Sequence, residues 1–240
     1  MNKSLKLFLG ISYIIILFSF LYLIFSYVEV TRLNDFSYYK QLQMDLDNVF
    51  GKTLYLNLLI FFLFCIIWIS LLGFGSPLLI ISGIIFGKWL GTFISLLSIS
   101  LGALILYSVA NFFFKDIVQN ILMKKFSKYI FLFRKNEFNY FLAFRLAGGL
   151  GIPFGIQNIL PVLFNMKKFN YFFSSFFGFI PGFFIFNTIG SGLNSYVAQS
   201  EKFNVLDFIL SPAIYLPILM FACLMIVSLI IKKKFFDDQN

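Results

Sequence analysis

The feature that most constrains this chain is a series of long stretches without any charged side chain. A helix needs roughly 20 apolar residues to cross the hydrocarbon core of a bilayer, which is about 30 Å thick. The stretches free of Asp, Glu, Lys and Arg all reach that length: residues 7–28, 53–87, 89–114, 146–166, 169–200 and 208–231. Hydrophobic residues make up 60% of the 240 positions, more than a soluble core can cover. The sequence therefore predicts an all-α, polytopic membrane protein.

Two of these stretches are broken by residues that end helices. GFGSP at 73–77 and GLGIP at 149–153 share the pattern G-x-G-x-P, and glycine and proline together interrupt a helix. Each pattern is followed by a short apolar stretch, a lysine and a long apolar span. The recurrence predicts an internal duplication with two re-entrant helical hairpins, at about 73–88 and 146–166. Their breaks fall at Gly73, Gly75, Pro77, Pro153 and Pro161.

The rest of the apolar sequence predicts about five transmembrane helices, at 7–28, 54–72, 90–113, 169–190 and 210–231. This number of crossings makes the two hairpins enter from opposite faces, as an inverted repeat. Many transporters build their substrate site where such repeats meet. The predicted organisation is a first transmembrane helix with a polar loop, a core with both hairpins, and a last transmembrane helix with a basic tail, at residues 1–53, 54–195 and 196–240.

The charge balance predicts the orientation and the partners. The chain has 19 Lys and Arg against 10 Asp and Glu, a net charge of +9. Basic residues gather on the cytoplasmic side of membrane proteins and on anionic lipid, so the excess favours a bilayer surface over a nucleic-acid partner. A cytoplasmic C-terminus puts fourteen basic residues inside and four outside. A composition rich in Phe, Ile, Lys, Asn and Tyr is typical of AT-rich genomes, which favours a bacterial cell membrane.

Several classes of enzyme are disfavoured by the residues that the chain lacks. It contains no histidine, the commonest metal ligand and general base. Its two cysteines, Cys65 and Cys223, stand in apolar runs, where a cysteine behaves as a small hydrophobe. We therefore expect neither a metal nor a cofactor, and an enzyme acting on lipid ranks far below a transport protein.

A candidate anion site surrounds Arg145. In lipid, a non-helical stretch survives only where protein or a watery cavity surrounds it, so the break beside Arg145 predicts an interior location. Residues 53–114 and 138–200 contain no Asp or Glu, and an unpaired cation in a membrane either reaches the headgroups or holds an external anion. For Arg145 the two interpretations are about even, with the adjacent break favouring a bound anion, whereas for Lys88 contact with headgroups is favoured. The residues predicted to bind a lipid phosphate or another anion are Arg145, Gly149, Gly151, Asn158 and Lys88.

Two blocks of the chain resemble a known family of membrane proteins. These are SPLLIISGIIFGKWLGTFISLLSISLGALI at 76–105 and FRLAGGLGIPFGIQNILPVLFNMKKFNYFFSSFFGFIPGFFIFNTIGSGL at 144–193. They are similar to the VTT-domain, or DedA-like, proteins, also called SNARE-associated Golgi proteins. The resemblance covers roughly residues 54–195, and the second block is its specific part.

The resemblance implies two facing re-entrant hairpins and movement of phospholipid or lipid-linked phosphate between leaflets. Its eukaryotic members look like scramblases, and some bacterial members look like recyclers of polyprenyl phosphate carriers. This chain departs from the family where Gly148 and Gly149 replace a proline and where Asn111 replaces an arginine. GFGSP also lacks the acidic residue found beside the first break of bacterial members, which favours passive exchange over proton-driven transport. A secondary transporter of a small anion or metabolite is the alternative.

Overall fold

The computed structural model describes residues 53–199 and 205–232, together with the isolated positions 12, 19, 41 and 44. The predicted first crossing at 7–28 and the loop that follows it lie outside the described ranges. Within those ranges the secondary structure is helical, without strands, as the apolar pattern predicts. The α-helices are α1 Leu54–Ser70, α2 Gly75–Phe113, α3 Lys115–Lys135, α4 Glu137–Leu146, α5 Phe154–Ile159, α6 Lys168–Gln199, α7 Val205–Leu210 and α8 Pro212–Lys232.

Two short 3-10 segments, Gly148–Gly151 and Leu160–Leu163, flank α5. By length and composition, two helices of the described ranges can cross a membrane, α2 and the Lys168–Ala198 part of α6. Helix α6 extends beyond the crossing predicted for 169–190 and past the predicted domain boundary at residue 195. The predicted total of five crossings stays a prediction.

Helix α2 reverses its direction at Gly87. This residue has φ 73° and ψ 174°, values outside the helical region. The Ser82 hydroxyl donates to the carbonyl oxygen of Gly91 at 3.0 Å, whereas nine residues of straight helix span about 13.5 Å. Residues 75–86 therefore form a leg that folds back on the long span 88–113.

The first hairpin differs in its bounds from the predicted segment at 73–88. Its tip is the turn at 71–74, and its two arms are α1 and the leg at 75–86, as the contact between the rings of Phe61 and Phe86 shows, with centroids 5.4 Å apart. The segment 73–88 is thus one arm and part of the tip, not a complete hairpin. The sequence pattern located the break correctly but did not reveal that the helix before it is the other arm.

The second half of the core repeats this order of elements. Helix α4 leads to a tip at 147–153, the leg consists of α5 and Leu160–Leu163, and a turn at 164–167 leads into α6. The predicted bounds 146–166 enclose this tip and leg. The two hairpins meet where each leg leaves its tip, because a Cβ atom on Gly75 would lie 3.6 Å from the Phe154 ring and one on Gly155 would lie 3.1 Å from the Leu72 side chain.

The first leg crosses α6 at a distance that only glycine permits. A Cβ atom on Gly83 would overlap the backbone oxygen of Asn187, and one on Gly190 would overlap the backbone oxygen of Ile80. Backbone atoms cannot move aside as the end of a flexible side chain can. Both crossing points therefore require glycine.

Valine at Gly83 is therefore expected to destabilise the protein. Forced overpacking in a well-packed core costs about 1–3 kcal/mol, and here the obstacle is backbone. The midpoint of thermal unfolding in detergent should fall clearly for Gly83→Val. Gly182→Ala is the matched control, because a Cβ atom there meets no atom within 4 Å. Equal midpoints for the two variants would contradict this crossing.

Candidate functional site

The tip of the second hairpin is a run of four residues in the left-handed region. Gly148, Gly149, Leu150 and Gly151 have φ values of 63°, 73°, 54° and 78°. A residue with a side chain pays roughly 1–2 kcal/mol in this region, whereas glycine occupies it freely. The sequence GGLG therefore adopts a turn that few other sequences can adopt, with Leu150 the only one of the four to carry that cost.

Gly149→Ala is expected to lower the unfolding midpoint more than Gly151→Ala. Both positions have positive φ, but a Cβ atom on Gly149 would overlap the side-chain amide of Gln157, whereas one on Gly151 would meet no atom within 4 Å. Both variants carry the cost of the left-handed backbone, about 1–2 kcal/mol, and Gly149→Ala alone carries the cost of the overlap as well. The difference between the two variants therefore measures the cost of the overlap. Thermal unfolding in detergent measures the midpoint of each variant. An equal decrease in the two midpoints would show that the overlap is relieved without cost.

Gln157 ties this tip to Arg145. Its Nε2 atom donates to the carbonyl oxygens of Ile152 at 2.6 Å and of Gly148 at 3.4 Å. Its Oε1 atom accepts a hydrogen bond from Nη1 of Arg145 at 3.1 Å. Gln157 therefore satisfies backbone carbonyls that the break leaves without helical partners.

Arg145 is 3% exposed and lies in a cage of neutral groups. Its Nη2 atom donates to Oδ1 of Asn158 at 2.7 Å and to the hydroxyl of Tyr171 at 3.2 Å. The guanidinium carbon also lies 4.7 Å and 4.6 Å from the ring centres of Phe141 and Phe179, close enough for cation–π attraction.

The charge of Arg145 has no acidic counterpart among the described residues. The partners of its two Nη atoms are Gln157, Asn158 and Tyr171, all neutral. Its Nε atom is buried and has no hydrogen-bond acceptor within the described part of the chain, and the same holds for Nδ2 of Asn158. The guanidinium is therefore held in place without being neutralised.

Tyr171 is a residue of this cage that sequence reasoning did not find. Its hydroxyl donates to the carbonyl oxygen of Asn158 at 3.1 Å, and its ring stacks on Tyr107 with centroids 4.7 Å apart. The hydroxyl of Tyr107 in turn donates to the carbonyl oxygen of Met166 at 2.5 Å. Tyr171 lies 26 residues from Arg145 in sequence, so no local spacing signals the contact.

A cavity of about 350 Å³ lies beside this cage, between the two tips. Arg145 and Gly151 line it, as do Gly75 and Ser76 at the start of α2, whose N–H groups have no acceptor within the helix. Gln157 also lines it, and the remaining walls are mostly apolar, with Leu79 on α2, Phe179, Phe183 and Phe186 on α6, and Phe221, Leu224 and Met225 on α8.

The predicted anion-binding residues occupy three different environments. Arg145 and Gly151 line the cavity, while Gly149 and Asn158 are buried behind it and support the tip and the guanidinium. Lys88 is exposed at the turn after Gly87 and does not line the cavity. The structure thus brings four of the five residues to one hairpin and leaves Lys88 apart, and the contact of Lys88 with headgroups stays a prediction.

The predicted breaks lie where the helices begin or turn. Gly75 and Pro77 are in the first turn of α2, Pro153 immediately precedes α5, and Pro161 is in the 3-10 segment of the second leg. Gly73 lies against the indole of Trp68, whose Nε1 atom donates to the carbonyl oxygen of Phe74 at 2.9 Å. An indole therefore supports the first tip where an amide and a guanidinium support the second.

The first hairpin has an apolar residue at the position that corresponds to Arg145. Gly178 lies against Cβ of Arg145, and Gly102 lies against Cβ of Ile69. Each of these residues in the second half stands 76 positions after its counterpart in the first half: Arg145 after Ile69, Gly178 after Gly102 and, at the tips, Gly149 after Gly73. Ile69 is fully buried. Of the two hairpins in the described part of the chain, the second alone therefore supplies a cation to the cavity.

Comparison with known families gives a match to the VTT domain over residues 73–192, half of the 240-residue chain. No curated protein and no solved structure matches the chain. The matched region begins at the first tip, includes Arg145 and its cage, and ends in α6. The chain belongs to the VTT-domain family of DedA-like and SNARE-associated Golgi membrane proteins.

Proposed function

We propose that the protein moves phospholipid or polyprenyl phosphate between the leaflets of the membrane without changing the lipid covalently. The observation that carries the proposal is a buried guanidinium, uncompensated by any carboxylate of the described residues, at the wall of an apolar cavity between the two hairpin tips. The sequence-based orientation, with a cytoplasmic C-terminus in a bacterial cell membrane, belongs to the same proposal.

The charge of Arg145 supports an anionic ligand. A cation within a membrane is costly and is retained where it serves a pathway or a ligand. Amide oxygens and aromatic faces offset part of that cost here, but they leave the net charge in place. A phosphate oxygen would supply the missing negative charge and could accept charge-assisted hydrogen bonds, which are roughly twice as strong as neutral ones.

The walls of the cavity support a ligand with a hydrocarbon part. Its exposed lining is mostly apolar, and phenylalanines come from the first tip, α5, α6 and α8. A small hydrated anion would lose its water against these rings without replacement, whereas a lipid presents a phosphate to the guanidinium and hydrocarbon to the rings. An inverted arrangement of the hairpins would give a headgroup access to the cavity from either face.

Leaflet exchange in reconstituted vesicles tests the proposal. Fluorescent phospholipid in the inner leaflet should become accessible to dithionite faster in protein-containing vesicles than in protein-free vesicles. For a lipid without a phosphate, such as a fluorescent ceramide, the protein should increase the exchange rate less. Equal rates with and without protein would reject lipid translocation. Phosphate uptake driven by an ion gradient, without lipid exchange, would favour the small-anion transporter instead.

The exchange rate is expected to be independent of pH between about pH 6 and pH 8. Histidine is the side chain that ordinarily changes charge in this range, and the chain has none. Residues 53–115 and 138–200 also contain no Asp or Glu, so neither of these two segments offers a carboxylate that could carry a proton. Dithionite assays at pH 6 and pH 8, corrected for the rate in protein-free vesicles, give the ratio of the two exchange rates. A severalfold change would show coupling to a proton.

A further inference from the structure

Helix α8 forms one wall of the cavity and, among the described residues, packs mainly against α6. Gly192 of α6 lies close to the backbone of Ala213, where a Cβ atom would come within 2.5 Å of the carbonyl oxygen. The ring of Phe186 meets the edge of Phe221 with centroids 5.8 Å apart. Beyond these contacts with α6, α8 also touches the Gly148–Gly151 turn.

The residues of α8 that line the cavity are also exposed on the outside of the protein. Phe221 is 38% exposed and Met225 is 49% exposed, although both line the cavity. The cavity therefore opens sideways, through a cleft between α6 and α8. The cleft is defined by Gly182, Phe183 and Phe186 on α6 and by Phe221, Leu224 and Met225 on α8.

We infer that this cleft holds a hydrocarbon tail of a membrane lipid, which reaches the cavity sideways from the bilayer while its phosphate lies near Arg145. The inference rests on the proposed function for the position of the phosphate. Hydrocarbon surrounds the outside of a helix in a membrane, so a cleft open at the surface of α8 faces acyl chains.

The side chains of the cleft and its continuity with Arg145 favour a lipid tail over other occupants. All six residues of the cleft are apolar or glycine, and none offers a hydrogen bond from its side chain. The volume of about 350 Å³ falls within the range of roughly 300–1,000 Å³ typical of small-molecule sites. A water-soluble anion would match the guanidinium but not the cleft, whereas a lipid matches both.

Gly182 makes the inference testable, because a side chain there would project towards the cleft without an obstacle. A Cβ atom on Gly182 meets no atom within 4 Å, and the residue lies within helix α6. Gly182→Leu therefore adds volume where a tail would lie and should not disturb folding. Leu224→Trp adds volume from the opposite wall.

The experiment uses a phospholipid with a diazirine in its acyl chain, reconstituted with the full-length protein. After irradiation, peptide mass spectrometry locates the adducts. We expect adducts on Phe183 and Phe186 of α6, which the cleft shields from bulk lipid, and their loss in Gly182→Leu and Leu224→Trp. Adducts on the outer face of α1, at Leu59 and Leu63, report bulk lipid and should remain equal in all variants.

The outcomes separate this inference from the proposed function. Adducts on α6 that persist unchanged in both filled variants, while those variants keep the wild-type unfolding midpoint, would overturn the inference. The labelling does not depend on flux, so α6 adducts without any leaflet exchange would support a tail site and reject translocation. Leaflet exchange without α6 adducts would reject the cleft and leave translocation standing.

Discussion

Replacing Arg145 with glutamine is expected to lower protein-dependent leaflet exchange by about ten- to a hundredfold. A hydrogen bond to a charged group contributes about 1.5–3 kcal/mol, and each 1.4 kcal/mol changes an equilibrium constant tenfold. The neutral amide would remove the positive charge that attracts the phosphate. The dithionite assay in vesicles measures the effect, with the amount of reconstituted protein matched between variants.

The cage around Arg145 makes a structural control necessary. Loss of the guanidinium leaves the Oδ1 atom of Asn158 and the Tyr171 hydroxyl without their donor, which is expected to cost about 1–3 kcal/mol of stability for each buried group left unsatisfied. Tyr171→Phe perturbs the same cage but keeps the charge, so it should lose stability while retaining much more exchange than Arg145→Gln.

Two further substitutions test whether the position of the charge matters. Arg145→Lys keeps a positive charge but loses the planar fork that suits phosphate, so we expect an intermediate rate. Lys168→Gln removes an exposed charge at the start of α6, away from the cavity, and should have little effect. Equal rates for Arg145→Gln and Lys168→Gln would contradict a phosphate-binding role for Arg145.

Gly182→Leu is expected to abolish most leaflet exchange without loss of stability. The leucine would occupy the cavity between the tips and α8, where no atom lies within 4 Å of the added Cβ. Replacing glycine inside a helix also removes a cost of roughly 0.5–1 kcal/mol, so the unfolding midpoint should stay constant or rise. A variant that is stable but inactive would indicate that the leucine side chain blocks the route of the lipid.

Gly182→Ala is the matched control for this substitution. Alanine gives the same helical benefit but adds only one methyl group to a cavity of about 350 Å³, so most exchange should remain. A Gly182→Leu protein that folds and exchanges lipid at the wild-type rate would show that lipid does not pass through this cavity. Loss of exchange together with a lower midpoint would instead report misfolding.

The sequence predicted those features that depend on local physics. Charge-free stretches predicted helices, and the two G-x-G-x-P patterns located both tips, because glycine and proline act on the backbone where they stand. The absence of carboxylates around Arg145 predicted an unneutralised cation, which the structure confirms for the described residues.

Features that depend on contacts between distant elements could not be predicted. Tyr171 meets Arg145 only because α6 packs against the second hairpin, and Phe221 lines the cavity only because α8 packs against α6. The role of α1 as an arm of the first hairpin also escaped prediction, since an arm and a complete crossing have the same apolar composition. Gly178 and Gly182, four residues apart on α6, also have different roles that only the fold reveals: Gly178 allows close approach to Arg145, and Gly182 leaves space for the cavity.

The meeting of the two tips is the claim on which the cavity and its proposed function depend, and a disulfide tests it most directly. A Cβ atom on Gly155 would lie 3.9 Å from Cβ of Leu72, within the span of about 3.5–4.5 Å that disulfides bridge. Leu72→Cys with Gly155→Cys, in a protein whose Cys65 and Cys223 are replaced by serine, should form an intramolecular disulfide under mild oxidation. Mass spectrometry of the digested protein should find the two tip peptides joined. Two free thiols after oxidation, in a variant that keeps the thermal midpoint of its cysteine-free parent, would contradict the meeting of the tips.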